Sequence, residues 1–233
     1  MNRSVLGRIV AFVLAFGGAA LAWVWFAGGS GEPSTELTTP TIAAGSTTAA
    51  ADTEKAYVID SSRSTVAFEV DEELQGQPNL VIGETDQVAG QVQIDLADLG
   101  TVQFSQIVVN ARTFRTDAER RDRAIRGPII LNSASDEHEL ITFDITSVDG
   151  LPEAAGPGET FSFTLTGDLL IRGETNSVTF DASVVLADES TIEGSATAQV
   201  LRSDFGIGIP SVPGVANVPD EVLLTITFVA VAG

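Results

Sequence analysis

The sequence predicts an all-β domain, an eight-stranded antiparallel up-and-down barrel with one short helix. Eight runs alternate apolar and polar residues, a period of two that is typical of strands with one buried face. Polar turns separate the runs, as in the hairpin formed by residues 161–171 and 178–186. These two strands are about ten residues, or roughly 33 Å, long, which is usual in barrels and large sandwiches. A two-sheet sandwich is the alternative that alternation alone leaves open.

The predicted strands follow one another along the chain. A polar loop at residues 71–76 is predicted between the first two strands. The strands lie at about residues 57–70, 87–96, 102–111, 141–145, 161–171, 178–186, 192–200 and 222–230.

One segment between the third and fourth strands has helical signals. Thr116 and Glu119 have the spacing of a capping box. No helix breaker follows until Gly127 and Pro128, so we expect one short helix over residues 120–126.

The predicted inner face carries several small residues, namely Gly90, Gly167, Ala182, Gly194, Ala196 and Ala198. They either pack against bulky partners or leave room for a ligand. The long uncharged inner wall favours a tunnel for a long apolar guest, because each buried CH₂ group contributes about 0.8 kcal/mol. The residues predicted to contact this ligand are Phe68, Val92, Ile94, Val109, Phe143, Ile145, Phe161, Phe163, Leu165, Phe180, Val184, Ala196, Ala198, Phe205, Ile226 and Phe228.

The charge balance limits the partners. A formal net charge of −20 repels nucleic acids and anionic membrane surfaces. The chain has no cysteine, which excludes disulfides and thiol chemistry.

The N-terminus predicts export and a membrane anchor. Residues 1–8 contain Arg3 and Arg8, and an uncharged apolar run follows at 9–27 with Trp23 and Trp25 near its outer end. About 20 apolar residues span a bilayer, and the preceding positive charges keep the N-terminus in the cytoplasm. The domain would then be extracytoplasmic. The alternative is a signal peptide cleaved near Ala27, which releases a secreted protein.

Residues 28–54 connect this segment to the domain at residues 55–233. They are rich in Ser, Thr, Ala and Gly and have no apolar period, so we expect a disordered linker.

The sequence does not favour an enzyme. His138 is the only histidine, and it lies in a polar turn where an exposed side chain is expected. One histidine without cysteine makes a zinc site improbable, and no nucleophile-elbow motif accompanies any serine. No metal or catalytic residue is predicted.

An arginine-rich segment at residues 112–126 admits two interpretations. Its arginines could bind an anionic head group, or they could pair with the interleaved acids Asp117, Glu119 and Asp122 and with neighbouring acidic loops. The interleaving favours ion pairing. Arg202 and Asp204 are likewise predicted to pair.

Two binding functions compete with lipid binding, namely sugar binding and protein interaction. Sugar binding calls for exposed Trp or Tyr, whereas both Trp residues lie in the apolar N-terminal run and Tyr57 is the only Tyr. A cell-surface protein-interaction module with a filled barrel core remains the alternative to a lipid-binding barrel.

Several motifs, in order along residues 57–230, carry a resemblance to a known family. They are Ile-Asp at 59–60, Ser-Thr-Val-Ala-Phe at 64–68, RDRAIR at 121–126, ITF at 141–143, TGDLLIRGET at 166–175, RSDFG at 202–206 and DEV at 220–222. Together they resemble the YceI-like family of lipocalin-like, polyisoprenoid-binding proteins.

The resemblance implies an exported barrel whose tunnel holds a polyisoprenoid, an isoprenoid quinone or a similar long-chain amphiphile, with no other cofactor. Two positions depart from the family. Asp71 and Glu72 replace a histidine that many members have after the first strand, and Ile-Ile-Leu at 129–131 replaces an aromatic pair. Both positions are expected at the tunnel mouth, so the head-group contacts are left open.

Overall fold

The computed structural model describes residues 28–42 and 54–233, which fold into antiparallel β-structure with one α-helix. The all-β prediction with a single helix is therefore confirmed. The predicted number of eight strands is wrong, because the described residues form a sheet of thirteen strands, several of them short. The helix is α1 (Glu119–Arg126). The strands are β1 (Glu54–Ile59), β2 (Thr65–Leu74), β3 (Gln77–Thr85), β4 (Val88–Ala89), β5 (Gln91–Asp95), β6 (Asp98–Phe104), β7 (Ile107–Asn110), β8 (Leu140–Asp149), β9 (Thr160–Ile171), β10 (Glu174–Asp188), β11 (Thr191–Leu201), β12 (Val215–Ala216) and β13 (Glu221–Ala232).

The sheet curls around an interior, and β13 pairs on both of its sides. One edge of β13 pairs with β11, and the ladder continues through β10, β9 and β8 to β7. The other edge pairs with β2 along its first half and with β1 along its last residues. From there β1 pairs with β5, β5 with β6, and β2 with β3, while β4 pairs with β7. The inward-facing side chains of all these strands therefore meet in one space.

The polar loop predicted at residues 71–76 is wrong, because β2 continues to Leu74 and β3 starts at Gln77. The connection is a two-residue turn in which Gln75 and Gly76 have φ of 53° and 78°. Positive φ at both positions matches the twist of a tight hairpin, and a glycine at the second position adopts it without strain.

Helix α1 begins at Glu119, so Thr116 is not its N-cap, in contrast to the predicted capping box. Its N-cap is Ala118, whose side chain makes no capping bond. Thr116 instead donates to Asp122 Oδ1 from its backbone N (2.8 Å) and its Oγ1 (2.7 Å). The buried carboxylate of Asp122, on the helix, thus holds Thr116 in the segment that precedes the first helical turn. The helix ends before Gly127, as predicted.

The inward glycines serve close packing and do not enlarge the interior. A Cβ atom on Gly167 would lie 2.3 Å from the carbonyl oxygen of Asp144 on β8, and one on Gly90 would lie 2.5 Å from Ile107 Cδ1. Gly194 is similarly crowded. At these positions the small residues accommodate neighbours, as the packed alternative predicts.

The first part of the linker contacts the folded domain, in contrast to the predicted disorder. We call residues 28–34 the strap. Arg126 Nε donates to the Gly28 carbonyl oxygen at 2.8 Å, and Arg115 Nη2 donates to that of Gly31 at 3.1 Å. The backbone N of Ser34 donates to Glu139 Oε1 at 2.8 Å. Sequence pattern missed this docking because backbone carbonyls make most of the contacts.

Within residues 28–42 and 54–233, no helix is long and apolar enough to cross a membrane. The apolar run at 9–27, for which a spanning helix was predicted, lies outside the described residues, as do residues 43–53 of the linker.

Candidate functional site

The interior contains two adjacent lobes. The first has a cavity volume of about 220 Å³ and is lined by inward side chains of the curled sheet. The second, of about 330 Å³, lies between β2, β3, α1 and the loop that follows β11. The side chains of Phe114, Ile141, Ile171 and Leu224 border both lobes, so the two lobes lie next to each other.

The structure places nearly all of the predicted ligand-contact residues on these walls. Phe68 and Phe205 line the second lobe, and Ala198 lines neither lobe but packs in the hydrophobic core. For all of the predicted residues, contact with a ligand remains a prediction. The predicted residues that line the first lobe are Val92, Ile94, Val109, Phe143, Ile145, Phe161, Phe163, Leu165, Phe180, Val184, Ala196, Ile226 and Phe228.

The first lobe is almost wholly apolar. Strand β9 contributes Phe161, Phe163 and Leu165 at every second position, as its alternation predicts. The buried ring of Tyr57 also lines this lobe, and its hydroxyl donates to the carbonyl oxygen of Glu189 at 2.9 Å. Burial raises the pKa of Tyr57, so the phenol stays neutral. Such a wall suits a hydrocarbon chain.

Charged side chains enter the wall of the second lobe. Glu72 on β2 and Arg121 on α1 both line it, and Arg121 Nη2 lies 3.2 Å from Glu72 Oε1. Arg121 also pairs with Asp117. Asn79, opposite Glu72 on β3, donates to the same Oε1 at 2.9 Å.

Arg202 also lines the second lobe, but the predicted pair with Asp204 is wrong. Its Nε donates to the carbonyl oxygen of Pro219 and its Nη1 to that of Ile207, both at 3.0 Å. Its nearest carboxylate is Asp220, at 3.7 Å. The turn after β11 carries Asp204 away and brings the chain before β13 next to Arg202.

The arginine-rich segment divides into two groups. Arg121 and Arg123 each pair with the acid four residues earlier, and Arg112 lies 2.8 Å from Asp136 and 3.3 Å from Glu139. Ion pairing is therefore confirmed for these three arginines.

Arg115 and Arg126 instead bind carbonyl oxygens of the strap. The Arg126 side chain is 3 % exposed, and its Nη1 has no hydrogen-bond partner among the described residues. Burial, and then the neighbouring Arg115 guanidinium, lower the pKa of Arg126. The strap carbonyls partly offset the cost of burying the Arg126 charge near Arg115, which is itself exposed.

Sequence reasoning missed two parts of the lining. Leu99, Val102 and Phe104 on β6 line the first lobe. The second lobe is covered by the loop between β11 and β13, whose apolar residues are scattered among glycines and prolines without a period. These loop residues are Ile207, Ile209, Pro210, Val212, Val215 and Val218.

Comparison with known proteins identifies a family and a fold. Residues 57–230 match the YceI-like domain. No curated protein sequence matches the chain significantly.

Solved structures share the fold at low sequence identity. BcnA from Burkholderia cenocepacia aligns with a TM-score of 0.57 and 20% identity, over 73% of this chain and 98% of its own. A polyisoprenoid-binding domain from Saccharophagus degradans, implicated in plant cell wall breakdown, aligns with a TM-score of 0.55 and 14% identity, over 77% of this chain and 99% of its own. The YCEI protein of Campylobacter jejuni aligns with a TM-score of 0.50 and 16% identity, over 65% of this chain and 84% of its own.

Proposed function

We propose that this chain, which belongs to the YceI-like domain family, is a lipid-binding protein with a lipocalin-like barrel. Its interior holds a polyisoprenoid, an isoprenoid quinone or a similar long-chain amphiphile. The observation that carries the proposal is the pair of adjacent lobes, of which the first is lined by apolar strand faces. A long hydrocarbon gains about 0.8 kcal/mol for each CH₂ group that it buries there.

The same observation favours a carrier over a protein-interaction module with a filled core. Close packing at Gly90 and Gly167 fills only part of the inner face. The side chains of Ala196, Phe161 and Phe163 border open volume.

Binding is also favoured over catalysis. The single histidine, His138, is half-buried in the turn that precedes β8 and lines neither lobe. The ionisable groups on the second lobe are already paired in ways that fix structure.

Mass spectrometry of organic extracts tests the binding proposal directly. The full chain and its Ala196→Phe variant are purified in parallel, so that lipid carried over from membranes appears equally in both extracts. We expect near-stoichiometric long-chain lipid with the natural chain and much less with the variant, whose ring occupies the first lobe. Equal extracts from both proteins would overturn the proposal.

We further propose that residues 9–27 anchor the protein in the cell membrane, with the N-terminus inside and the barrel extracytoplasmic. The length of the apolar run, Arg3 and Arg8 before it, and Trp23 and Trp25 near its end support this. The full chain should sediment with membranes and resist carbonate extraction. If N-terminal sequencing of the native protein begins near Ser30, the segment is a cleaved signal and the protein is secreted.

A further inference from the structure

The large apolar side chains that the described part of the chain exposes are grouped at one end of the barrel. Ile209 lines the second lobe, and each of the others is next in sequence to a residue that lines it. Leu80 and Ile82, for example, flank Val81 on β3. We call this end, which contains α1 and the loop between β11 and β13, the helix end. The six side chains, 38–51% exposed, are Leu80, Ile82, Leu140, Leu201, Ile209 and Leu223.

The strap is built into the same end. The carbonyl oxygen of Gly28 accepts from Arg126 Nε on α1 at 2.8 Å, and a Cβ atom on this buried glycine would overlap the carbonyl oxygen of Arg123. Gly31 is also buried and has a φ of 78°, and a Cβ atom there would lie 2.8 Å from Arg126 Nη1. Both positions therefore require glycine for the strap to dock.

Docking of the strap removes the spacer between the apolar N-terminal run and the barrel. A free coil over residues 28–54 would let the barrel lie roughly 30 Å from the end of that run. Gly28 directly follows the run at residues 9–27, so its contact with α1 leaves no residue between the two. An anchor at residues 9–27 would therefore hold the helix end, and not the opposite end, at the membrane surface.

The basic residues are concentrated at the helix end as well. Eight of the ten in the described chain lie there, six in the segment 112–126 and the others at Arg172 and Arg202. Lys55 and Arg63 lie at the opposite end, near the turn between β10 and β11. The arginines lessen, at the helix end, the repulsion between a chain of net charge −20 and an anionic lipid surface.

We propose that the helix end of the barrel rests on the outer surface of the membrane, with its exposed apolar side chains in contact with lipid. Single apolar residues are ordinary on a protein surface, whereas six around one end mark an interaction surface. A bilayer suits them because they belong to four strands and a loop, and a lipid surface can meet all of these elements at once. The second lobe then faces the bilayer. This inference rests on the proposed membrane anchor.

Fluorescent labels on single cysteines test this orientation, since the natural chain has no cysteine. Leu223→Cys places a label at the helix end. Ala97→Cys is the matched control, because Ala97 is exposed in the turn between β5 and β6 at the opposite end. Each full-length variant carries the same polarity-sensitive fluorophore and is reconstituted into phosphatidylcholine vesicles that contain doxyl-labelled phosphatidylcholine as a quencher. We expect blue-shifted emission and several-fold stronger quenching at position 223 than at position 97.

A second substitution tests whether the strap sets the orientation. Gly31→Val, combined with the label at position 223, should release the strap, because valine is strained at a φ of 78° and would overlap the Arg126 guanidinium. The chain should still sediment with the vesicles, while quenching at position 223 falls several-fold. Glu32→Val is the control, because it places the same residue at the exposed neighbouring position. It should leave the quenching unchanged.

The outcomes separate the anchor from the orientation. If the full chain does not sediment with the vesicles, the proposed anchor fails. If it sediments and position 97 is quenched as strongly as position 223, the anchor stands and the orientation is wrong. A blue shift at position 223 that depends on protein concentration, without quenching by the doxyl lipid, would assign this surface to a second copy of the chain and overturn the inference. Unchanged quenching in Gly31→Val would overturn the role of the strap.

Discussion

The two lobes of the interior are built from different kinds of structure. The first lobe is lined by the inner faces of strands. On each strand every second side chain points inward, and these side chains make an apolar wall. The second lobe is closed by α1 and by the loop before β13, and it contains the Glu72–Arg121 pair. Under the proposed lipid-binding function, the apolar wall of the first lobe suits a hydrocarbon tail, whereas the wall of the second lobe also contains charged side chains.

The lobes also differ in what supports them. The ladders of the sheet itself fix the first lobe. The second depends on α1, whose Ala124 and Ile125 line the lobe, while Arg126 of the same helix is held by the strap. A substitution in α1 or in the strap should therefore alter the wall of the second lobe more than the wall of the first lobe.

The largest effect is expected from shortening an aromatic side chain in the wall of the second lobe. Phe205 is 1% exposed and packs in the core beside this lobe. Phe205→Ala should lower the free energy of unfolding by about 3–5 kcal/mol, because the core cannot close over the cavity that it leaves. Chemical denaturation measures this loss.

Phe163→Ala is the matched change in the first lobe. The Phe163 ring is only partly buried, and it already borders open volume beside Phe161. Its loss should destabilise the protein clearly less than the loss of Phe205. Equal losses would mean that the walls of the two lobes contribute equally to stability, which would contradict the proposed difference between them.

A pair of alanines on β11 gives the next effect. Ala196 and Ala198 share the inward face, but Ala196 lines the first lobe whereas Ala198 packs in the core. Ala198→Phe should cost about 1–3 kcal/mol through overpacking. Ala196→Phe should leave the melting temperature nearly unchanged and abolish lipid binding. A large stability loss in Ala196→Phe, with no change in bound lipid, would indicate a filled core.

Alternation explains why most of the first lobe could be predicted from the sequence. A period of two assigns Phe161, Phe163 and Leu165 to one face without any knowledge of the fold. Strand β3 was missed because Leu80, Val81 and Ile82 are consecutive apolar residues, of which only Val81 is buried. Because apolar residues occupy both faces of this run, its sequence shows no alternation of apolar and polar positions that would indicate a strand.

The second lobe and the strap depend on contacts that sequence pattern does not encode. The Glu72–Arg121 pair joins residues that are 49 positions apart. The strap is held largely through its backbone carbonyls, so its side chains give little sign of docking. The apolar residues of the loop before β13 have no period, and only the folded chain brings them over a cavity.

Acid should destabilise the protein through Glu139, whose carboxylate accepts hydrogen bonds from Ser34 of the strap. Burial disfavours ionisation of this side chain, but hydrogen bonds from Ser34 and Asn110 and the Arg112 guanidinium together lower the pKa of Glu139. A lowered pKa in the folded state stabilises the protein above the ordinary glutamate pKa of about 4.3, and this stabilisation is lost as pH falls through the lowered value.

Urea unfolding at successive pH values tests the role of Glu139. Glu139→Gln should be less stable at neutral pH and should lose less stability than the natural chain on acidification below about pH 4. Glu137→Gln is the control, because Glu137 is exposed in the turn before β8. If the pH profile of Glu139→Gln runs parallel to that of the natural chain, protonation of Glu139 does not cause the loss of stability in acid.

The smallest effect is expected from the strap itself. Ser34→Ala removes the hydroxyl that donates to Glu139 Oε2 and retains the backbone hydrogen bond to Oε1. The loss should be about 1.5 kcal/mol, as for one hydrogen bond to a charged group. Ser30→Ala is the control, because the hydroxyl of Ser30 bonds only the nearby backbone of Glu32. Amide hydrogen exchange should quicken in α1 of Ser34→Ala and stay unchanged in β9, since the strap contacts the helix and not the first lobe. Equal acceleration in both elements would show that the strap stabilises the whole barrel, and unchanged exchange in α1 would show that the second lobe stands without it.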